Sequence, residues 1–135
     1  MKSSTHAVLL FCCLMALPVE AMAIGKCGSG KRVTCVVDGD TIWLEGEKIR
    51  LMGFDTPEPQ TNICGGNREK WLANRASQRL MQLLTENAFT VDRDGADRYG
   101  RTLAIIRVDG VNVGDILISE GLARRYPDGP EFWCN

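Results

Sequence analysis

The chain contains the stretch Asp38-Gly39-Asp40-Thr41, followed by Arg50 and then by Asp55-Thr56-Pro57-Glu58. Closely spaced carboxylates between turn-forming residues indicate a hard cation, because such cations prefer oxygen ligands. An arginine among them indicates an anionic ligand, because its planar fork binds two phosphate oxygens at once. A second segment, Asp97-Arg98-Tyr99-Gly100-Arg101, adds another arginine at a predicted strand boundary. A metal ion and paired arginines are the equipment needed to cleave a phosphodiester.

Short strands and two helices are predicted around these segments. Apolar alternation bounded by turn residues predicts strands at 32–37, 41–44, 48–52, 89–93 and 103–108, with tight turns at Glu45-Gly46 and Asp109-Gly110. A helix is predicted at 67–84, with an apolar face of Trp71, Leu72, Ala76, Leu80, Leu83 and Leu84, and a second at 113–120. This order favours an α+β fold, a small closed or partly closed five-stranded barrel with two helices.

The first 23 residues have the pattern of a secretory signal peptide. Lys2 precedes an apolar run at 7–19, and Ala21-Met22-Ala23 matches a small-x-small cleavage site. The run is too short to span a bilayer as a stable helix, although a retained anchor is the alternative. We therefore predict a signal peptide at 1–23 and a single domain at 24–135. The domain is expected to be periplasmic or secreted, monomeric and free of stable membrane association.

Four cysteines remain beyond the leader: Cys27, Cys35, Cys64 and Cys134. An even number in a small exported domain indicates two disulfides. A zinc site is the alternative, but the spacings contain no Cys-x-x-Cys pair. Three pairings are possible, and we favour Cys27–Cys35 together with Cys64–Cys134.

The composition excludes several classes of chemistry. The single histidine, His6, lies in the leader. The mature domain therefore has no histidine for a catalytic dyad, for a metal site or for general-base catalysis. The formal net charge of the chain is -1, so any attraction to nucleic acid has to be local.

The carboxylate segments suit calcium chemistry. If their strands are neighbours, Asp40 and Asp55 meet at one mouth of the barrel. Two carboxylates, a main-chain carbonyl and waters would make a loose oxygen site of the kind that Ca²⁺ accepts. Glu58 can face the same cation through a water that it orients or deprotonates. Arg50 and Arg101 would bracket a phosphate and neutralise charge that grows in the transition state.

Each segment also has a structural interpretation. Asp-Gly-Asp-Thr alone is common in turns, and Asp-Thr-Pro-Glu alone suits a loop or a helix cap. Asp97 with Arg101 alone would be a surface ion pair. Taken singly, these interpretations are the better ones, but the joint order and spacing favour a catalytic site.

From residue 32 to about residue 126 the chain resembles the staphylococcal nuclease (thermonuclease) family. The resemblance is carried by Val37-Asp38-Gly39-Asp40-Thr41, Ile49-Arg50-Leu51, Asp55-Thr56-Pro57-Glu58, Asp97-Arg98-Tyr99-Gly100-Arg101 and Glu120-Gly121-Leu122-Ala123. It implies an OB-fold barrel with added helices. It also implies Ca²⁺-dependent hydrolysis of single-stranded or frayed DNA and RNA to 3′-phosphate products.

The resemblance also implies a role for each site residue. The expected roles are calcium binding by Asp40, Asp55 and the Thr56 carbonyl, activation of the attacking water by Glu58, phosphate binding by Arg50 and Arg101, and contact with bound substrate by Tyr99 and Arg98.

The chain departs in three ways from the family's best-known enzyme, which is strongly basic, lacks cysteine and continues into a third helix. We expect the disulfides to replace what that helix would supply, and no departure falls on a site residue. One alternative is an OB-fold module that binds nucleic acid without cleaving it, through aromatics such as Trp43, Tyr99 and Tyr126. Another is an accessory protein of envelope or polysaccharide assembly.

Overall fold

A computed structural model describes residues 23–60 and 64–134 of the chain. The predicted signal peptide lies outside these ranges except for Ala23, so its cleavage stays a prediction. Among the described residues, no helix combines the length and the apolar character that a membrane span requires.

Every predicted strand and helix is present, with ends that differ by a few residues. The strands are Cys35–Asp38 (β1), Thr41–Leu44 (β2), Glu47–Leu51 (β3), Phe54–Asp55 (β4), Phe89–Ala96 (β5), Thr102–Val108 (β6), Val111–Asn112 (β7) and Arg124–Arg125 (β8). The helices are Gly66–Glu86 (α1), Val113–Ser119 (α2) and the short 3-10 helix Phe132–Cys134. The two-residue strands β4, β7 and β8 were not predicted.

The main sheet has the strand order β1-β2-β3-β6-β5, and β7 pairs with β6. Its pairs are antiparallel except for β3 with β6, which run parallel. A separate two-stranded sheet joins β4 to β8. Among the described strands, β1 and β5 end the main sheet without pairing to each other, so the barrel is not closed. The predicted class, an OB-like α+β fold with two helices, is confirmed.

Two hairpin turns form where the sequence predicts them. Glu45 and Gly46 have φ of 50° and 84°, and Asp109 and Gly110 have φ of 50° and 76°. Two successive residues with positive φ match the twist of the flanking strands, and an acidic residue followed by glycine suits this turn. The first of these turns aligns β2 with β3, so that Thr41 lies opposite Arg50.

Helix α1 packs against the sheet through one apolar face. Its buried residues include Leu72, Ala76, Leu80 and Leu84. Trp71 was predicted on this face, and that prediction is wrong, because its side chain is 58% exposed. A residue next to Leu72 is turned by about 100° around the helix axis, which carries it out of the core.

Helix α2 supports the small sheet that carries Asp55. The ring of Phe54 in β4 is buried against Gly114, where an added Cβ would lie 2.2 Å from Phe54 Cδ1. Only glycine at this position lets α2 approach β4 so closely. The neighbouring Asp55 is therefore held against the core by packing as well as by strand pairing.

Both favoured disulfides are present in the structure. Cys27–Cys35 ties the segment before the sheet to β1, and Cys64–Cys134 ties the start of α1 to the end of the described chain. At the second bridge, Gly65 lies against the tail, where an added Cβ would be 2.2 Å from the carbonyl oxygen of Trp133. Trp133 is itself 3% exposed. The tail therefore packs on the start of α1, in a chain for which no third helix was predicted.

Candidate active site

Asp40 lies in the turn between β1 and β2 and is 5% exposed. Its Oδ1 accepts a hydrogen bond from Thr41 Oγ1 at 3.0 Å. Its Oδ2 accepts from the backbone N–H and the hydroxyl of Thr56 at 3.1 and 3.2 Å. The preceding Gly39 makes this approach possible, because an added Cβ would lie 2.6 Å from the Thr56 methyl group.

Arg50 links the two carboxylates that the sequence singles out. From strand β3, its guanidinium lies 3.3 Å from Asp40 Oδ2 and 3.5 Å from Asp55 Oδ1. It also donates to the carbonyl oxygens of Leu51 and Phe54 at 2.7 and 3.2 Å. These backbone bonds fix the direction of the guanidinium, so its position does not depend on the carboxylates alone.

A second guanidinium, from Arg124, holds the other oxygen of Asp55. Its Nε and Nη2 both lie 2.9 Å from Asp55 Oδ2. Arg124 further donates to the carbonyl of Gly129 at 2.7 Å and to Glu131 at 3.1 Å. Sequence reasoning missed Arg124, although it directly follows the Glu120–Ala123 segment that carries part of the resemblance.

Acidic groups crowd this region and perturb one another. Burial, reinforced by the Asp38 carboxylate, raises the pKa of Asp40 to about 8, and Arg50 opposes the shift. Glu58 is exposed at the surface, yet partial desolvation and the carboxylates of Asp38 and Asp55 raise its pKa above the usual value, again opposed by Arg50. Burial and neighbouring carboxylates therefore both favour the protonated forms of Asp40 and Glu58, and Arg50 offsets only part of this effect.

A cleft of about 790 Å³ opens beside Arg50. Arg101, Arg98, Tyr99 and Tyr126 also line it. The Arg98 guanidinium lies 4.8 Å from the centre of the Tyr99 ring, and that of Arg101 lies 5.6 Å away. Arg50 is thus the residue shared by the acidic cluster and the cleft.

Arg101 is held in place by an ion pair with Asp97, the pair that was predicted as the structural alternative to a catalytic role. Its Nε donates to Asp97 Oδ2 at 2.7 Å, and its backbone N–H donates to Oδ1 at 3.0 Å. Although desolvation acts in the opposite sense, these bonds hold the pKa of Asp97 below its usual value. The ion pair orients Arg101 at the cleft through Nε, and no hydrogen bond to its terminal nitrogens is seen among the residues that the structure describes.

Trp43 does not join the other aromatic candidates. It lies on β2 and is not among the residues that line the cleft. Its indole nitrogen is buried without a hydrogen-bond partner among the residues that the structure describes. Of the three aromatics considered for base stacking, Tyr99 and Tyr126 are exposed and Trp43 is half-buried.

The donor set around Asp40 fits a hard divalent cation. Asp40, Asp55, Glu58 and the Thr56 carbonyl offer oxygen atoms only. Burial is the largest cause of the raised pKa values of Asp40 and Glu58, and neighbouring carboxylates add to it, so a bound cation would favour the ionised form of both groups. The oxygens of Asp40, Asp55 and Glu58 do not all lie within 4.8 Å of one another; among the described residues, the group of three ligand-type side chains that meets this distance is Cys64, Glu131 and Cys134. Its cysteines are bonded to each other, so it is not a metal site.

The family profile described as "Staphylococcal nuclease homologue" matches residues 48–131, which include Arg50, Asp55, Glu58 and Arg101. The chain belongs to this family. Asp40 precedes the matched range, and its contacts with Arg50 and Thr56 bring it to the residues inside that range.

Curated relatives of the family extend the match over more of the chain. A thermonuclease of Staphylococcus intermedius is 34% identical over 78% of this chain and 66% of its own length. Endonuclease YncB of Bacillus subtilis is 38% identical over 65% of this chain and 44% of its own length. A micrococcal nuclease of Shigella flexneri is 30% identical over 70% and 56%. The chain therefore spans less than two thirds of each of these relatives.

Proposed function

We propose that this protein is an exported Ca²⁺-dependent nuclease that hydrolyses single-stranded or frayed DNA and RNA to 3′-phosphate products. One observation carries the proposal. Arg50 contacts the Asp40 and Asp55 carboxylates and also lines the cleft with Arg101. A phosphate bound between the two arginines would lie next to the acidic cluster. The names of the relatives, which include thermonuclease and endonuclease, support the same reaction class.

Asp40, Asp55 and the Thr56 carbonyl would hold the calcium ion. When bound, Ca²⁺ would supply charge neutralisation and polarisation of the substrate oxygens. Glu58 would accept the proton of the attacking water, and its raised pKa suits a general base better than that of an ordinary surface carboxylate. Asp40 Oδ2 is fixed by Thr56, so its orientation is set before any ligand arrives.

The arginines would bind the scissile phosphate. A guanidinium fork can donate to two equatorial oxygens, whose charge increases as the transition state forms. Arg101 is held by Asp97. The terminal nitrogens of Arg50 already contact the Leu51 and Phe54 carbonyls and both carboxylates, so a bound phosphate would replace some of these contacts. Tyr99 and Arg98, which form a hydrogen bond of 2.6 Å at the rim, would contact the adjoining nucleotide.

Export and a monomeric state complete the proposal. The two disulfides suit an oxidising compartment. The backbone N–H of Ile24 donates to Thr85 Oγ1 at 3.0 Å, so a chain cut after Ala23 would keep every described strand and helix.

A binding module without nuclease activity is the second candidate, and the exposed Tyr99 and Tyr126 favour it. Aromatic platforms of this kind bind single strands without chemistry. Such a module has no use for a water-activating carboxylate at the position of Glu58. An accessory protein of envelope or polysaccharide assembly remains the third and least supported reading.

A cleavage assay separates these candidates. The purified mature protein is incubated with 5′-labelled single-stranded DNA, in Ca²⁺ and in excess chelator, and the product ends are tested for removal of phosphate by a 3′-phosphatase. Calcium-dependent cleavage to 3′-phosphate ends supports the proposal. If the labelled strand binds to the protein but is not cleaved in either condition, the result would support the binding module instead.

A further inference from the structure

Glu69 is a buried acidic residue that the proposed reaction does not use. It lies in the first turn of α1 and is 1% exposed. A carboxylate so far from solvent is costly unless hydrogen bonds satisfy its oxygens. The partial positive charge at the start of a helix lowers that cost. The burial of this carboxylate next to the proposed active site therefore needs a structural or functional explanation.

The two oxygens of Glu69 accept hydrogen bonds from two separate parts of the backbone. Oε1 accepts from the N–H of Glu58 at 3.2 Å, and Oε2 accepts from the N–H of Gly65 at 2.9 Å. One side chain thus joins the residue that carries the proposed general base to the start of α1. The two bonds use different oxygens, so both depend on an acceptor at each carboxylate position.

The Gly65 end of this link is fixed by the rest of the molecule. The adjacent Cys64 is bonded to Cys134. Gly65 lies so close to the tail that an added Cβ would be 2.2 Å from the Trp133 carbonyl and 2.6 Å from Glu69 Cβ. The position of the Glu69 carboxylate is therefore fixed by these contacts. Its hydrogen bond to the Glu58 N–H in turn fixes the backbone at Glu58.

The Glu58 end has little other support among the described contacts. Pro57 and Thr56 are buried, but the chain emerges to the surface at Glu58 itself. A general base has to lie within hydrogen-bond reach of the water it activates. Misplacement by about 1 Å can cost on the order of 10²-fold in rate.

We infer that Glu69 is a positioning residue of the proposed nuclease: it holds the backbone of Glu58, through the N–H of that residue, so that the Glu58 carboxylate faces the acidic cluster. This inference rests on the proposed function for its kinetic consequence. Its structural content, the double link from Glu58 to Gly65, does not depend on activity.

Glu69→Gln is the direct test, because the amide nitrogen replaces one acceptor with a donor while the volume hardly changes. We expect kcat on single-stranded DNA to fall ~10-fold or more, with KM within about twofold of wild type. In a Glu58→Gln background the same change is expected to have no further effect on kcat, because Glu69 acts through Glu58. Leu83→Ala, at the far end of α1, is the control for simple destabilisation of the helix, compared where all variants are folded.

Amide hydrogen exchange provides a readout that needs no activity. Glutamine keeps one acceptor oxygen, so protection of at least one of the Glu58 and Gly65 amides is expected to fall in Glu69→Gln, whereas protection of both is expected to persist in Leu83→Ala. If the wild type proves inactive while Glu69→Gln still loses this protection, the proposed nuclease function fails and the link stands. Glu69→Asp, which keeps the charge but shortens the reach, serves if the glutamine variant does not fold. Unchanged kcat together with unchanged protection, or an equal kcat loss in the Glu58→Gln background, would overturn the inference.

Discussion

Arg124 and Asp55 lie directly opposite each other across the β4–β8 pair, and two guanidinium nitrogens of Arg124 each lie 2.9 Å from the same oxygen of Asp55. The other oxygen of Asp55 faces Arg50 at 3.5 Å. Arg124 therefore determines which carboxylate oxygen is directed to the acidic cluster. Arg124 also donates hydrogen bonds to Gly129 and Glu131, so the orientation of Asp55 depends in part on the C-terminal tail.

Replacing Arg124 by alanine is expected to weaken Ca²⁺ binding by ~10-fold or more, as loss of a residue that orients a metal ligand commonly does. Stability should fall by about 2 kcal/mol, because charge-assisted hydrogen bonds at a largely buried group are lost. Calorimetric Ca²⁺ titration and urea unfolding measure the two effects. Arg125→Ala is the matched control, since Arg125 is exposed and pairs with Asp115 instead. Equal Ca²⁺ affinity in the two variants would contradict this role.

Lysine in place of Arg50 or Arg101 is expected to reduce turnover by ~10²-fold each, because a point charge cannot reproduce a preorganised bidentate donor. Steady-state kinetics on single-stranded DNA measures the loss. Arg107→Lys is the control, because Arg107 lies on the same strand that follows Arg101 but pairs with Asp92 at the surface. Near wild-type turnover in both site variants would rule out phosphate binding by these arginines.

Glutamine at position 58 is expected to preserve Ca²⁺ and substrate affinity while slowing turnover by ~10²-fold or more, because an amide cannot accept the proton of the water. Single-turnover cleavage, with binding measured separately on the same oligonucleotide, divides the two effects. Glu86→Gln, at the exposed end of α1, controls for loss of a surface charge. A weaker substrate affinity with unchanged chemistry would assign Glu58 to binding instead.

The two disulfides are expected to differ in their contribution to stability. Their cysteines are 70 and 8 residues apart in sequence, and loop closure predicts about 4 kcal/mol for the longer loop against about 2–3 kcal/mol for the shorter. Urea unfolding of the Cys64→Ser/Cys134→Ser and Cys27→Ser/Cys35→Ser proteins compares them. Intact-mass analysis of exported protein should find no free thiol. Four free thiols there would remove the basis for the predicted export.

Local sequence patterns predicted most of the fold. Thr41–Leu44 forms the predicted strand with the predicted bounds, because residues directly next to it in the sequence form the turns on both sides. The β4–β8 pair could not be predicted, since two-residue strands have no periodicity. Trp71 shows the limit of spacing arguments, because it sits beside the apolar face and stacks on Arg75 at 5.4 Å instead of entering the core.

The candidate site was predictable where motifs carry it and not where distant contacts do. Asp40 and Asp55 both lie close to Arg50, because turns and paired strands bring these residues together, while their roles in metal and phosphate binding stay predictions. Arg124 is 69 residues from its partner Asp55, and no local pattern records such a pairing. In the sequence, Glu69 is an ordinary acidic residue in the first turn of a helix. Only the structure shows that it is buried and accepts hydrogen bonds from Glu58 and Gly65.

The central claim is that the Asp40–Arg50–Asp55 cluster supports calcium-dependent phosphodiester cleavage. The most direct measurement is single-turnover cleavage of a 5′-labelled single-stranded oligonucleotide by the wild type and by Asp40→Asn, each across a Ca²⁺ titration. We predict that the wild type cleaves with a saturable dependence on Ca²⁺, and that the folded variant loses both Ca²⁺ dependence and cleavage. Wild-type cleavage at full rate in excess chelator, or unimpaired cleavage by Asp40→Asn, would contradict it.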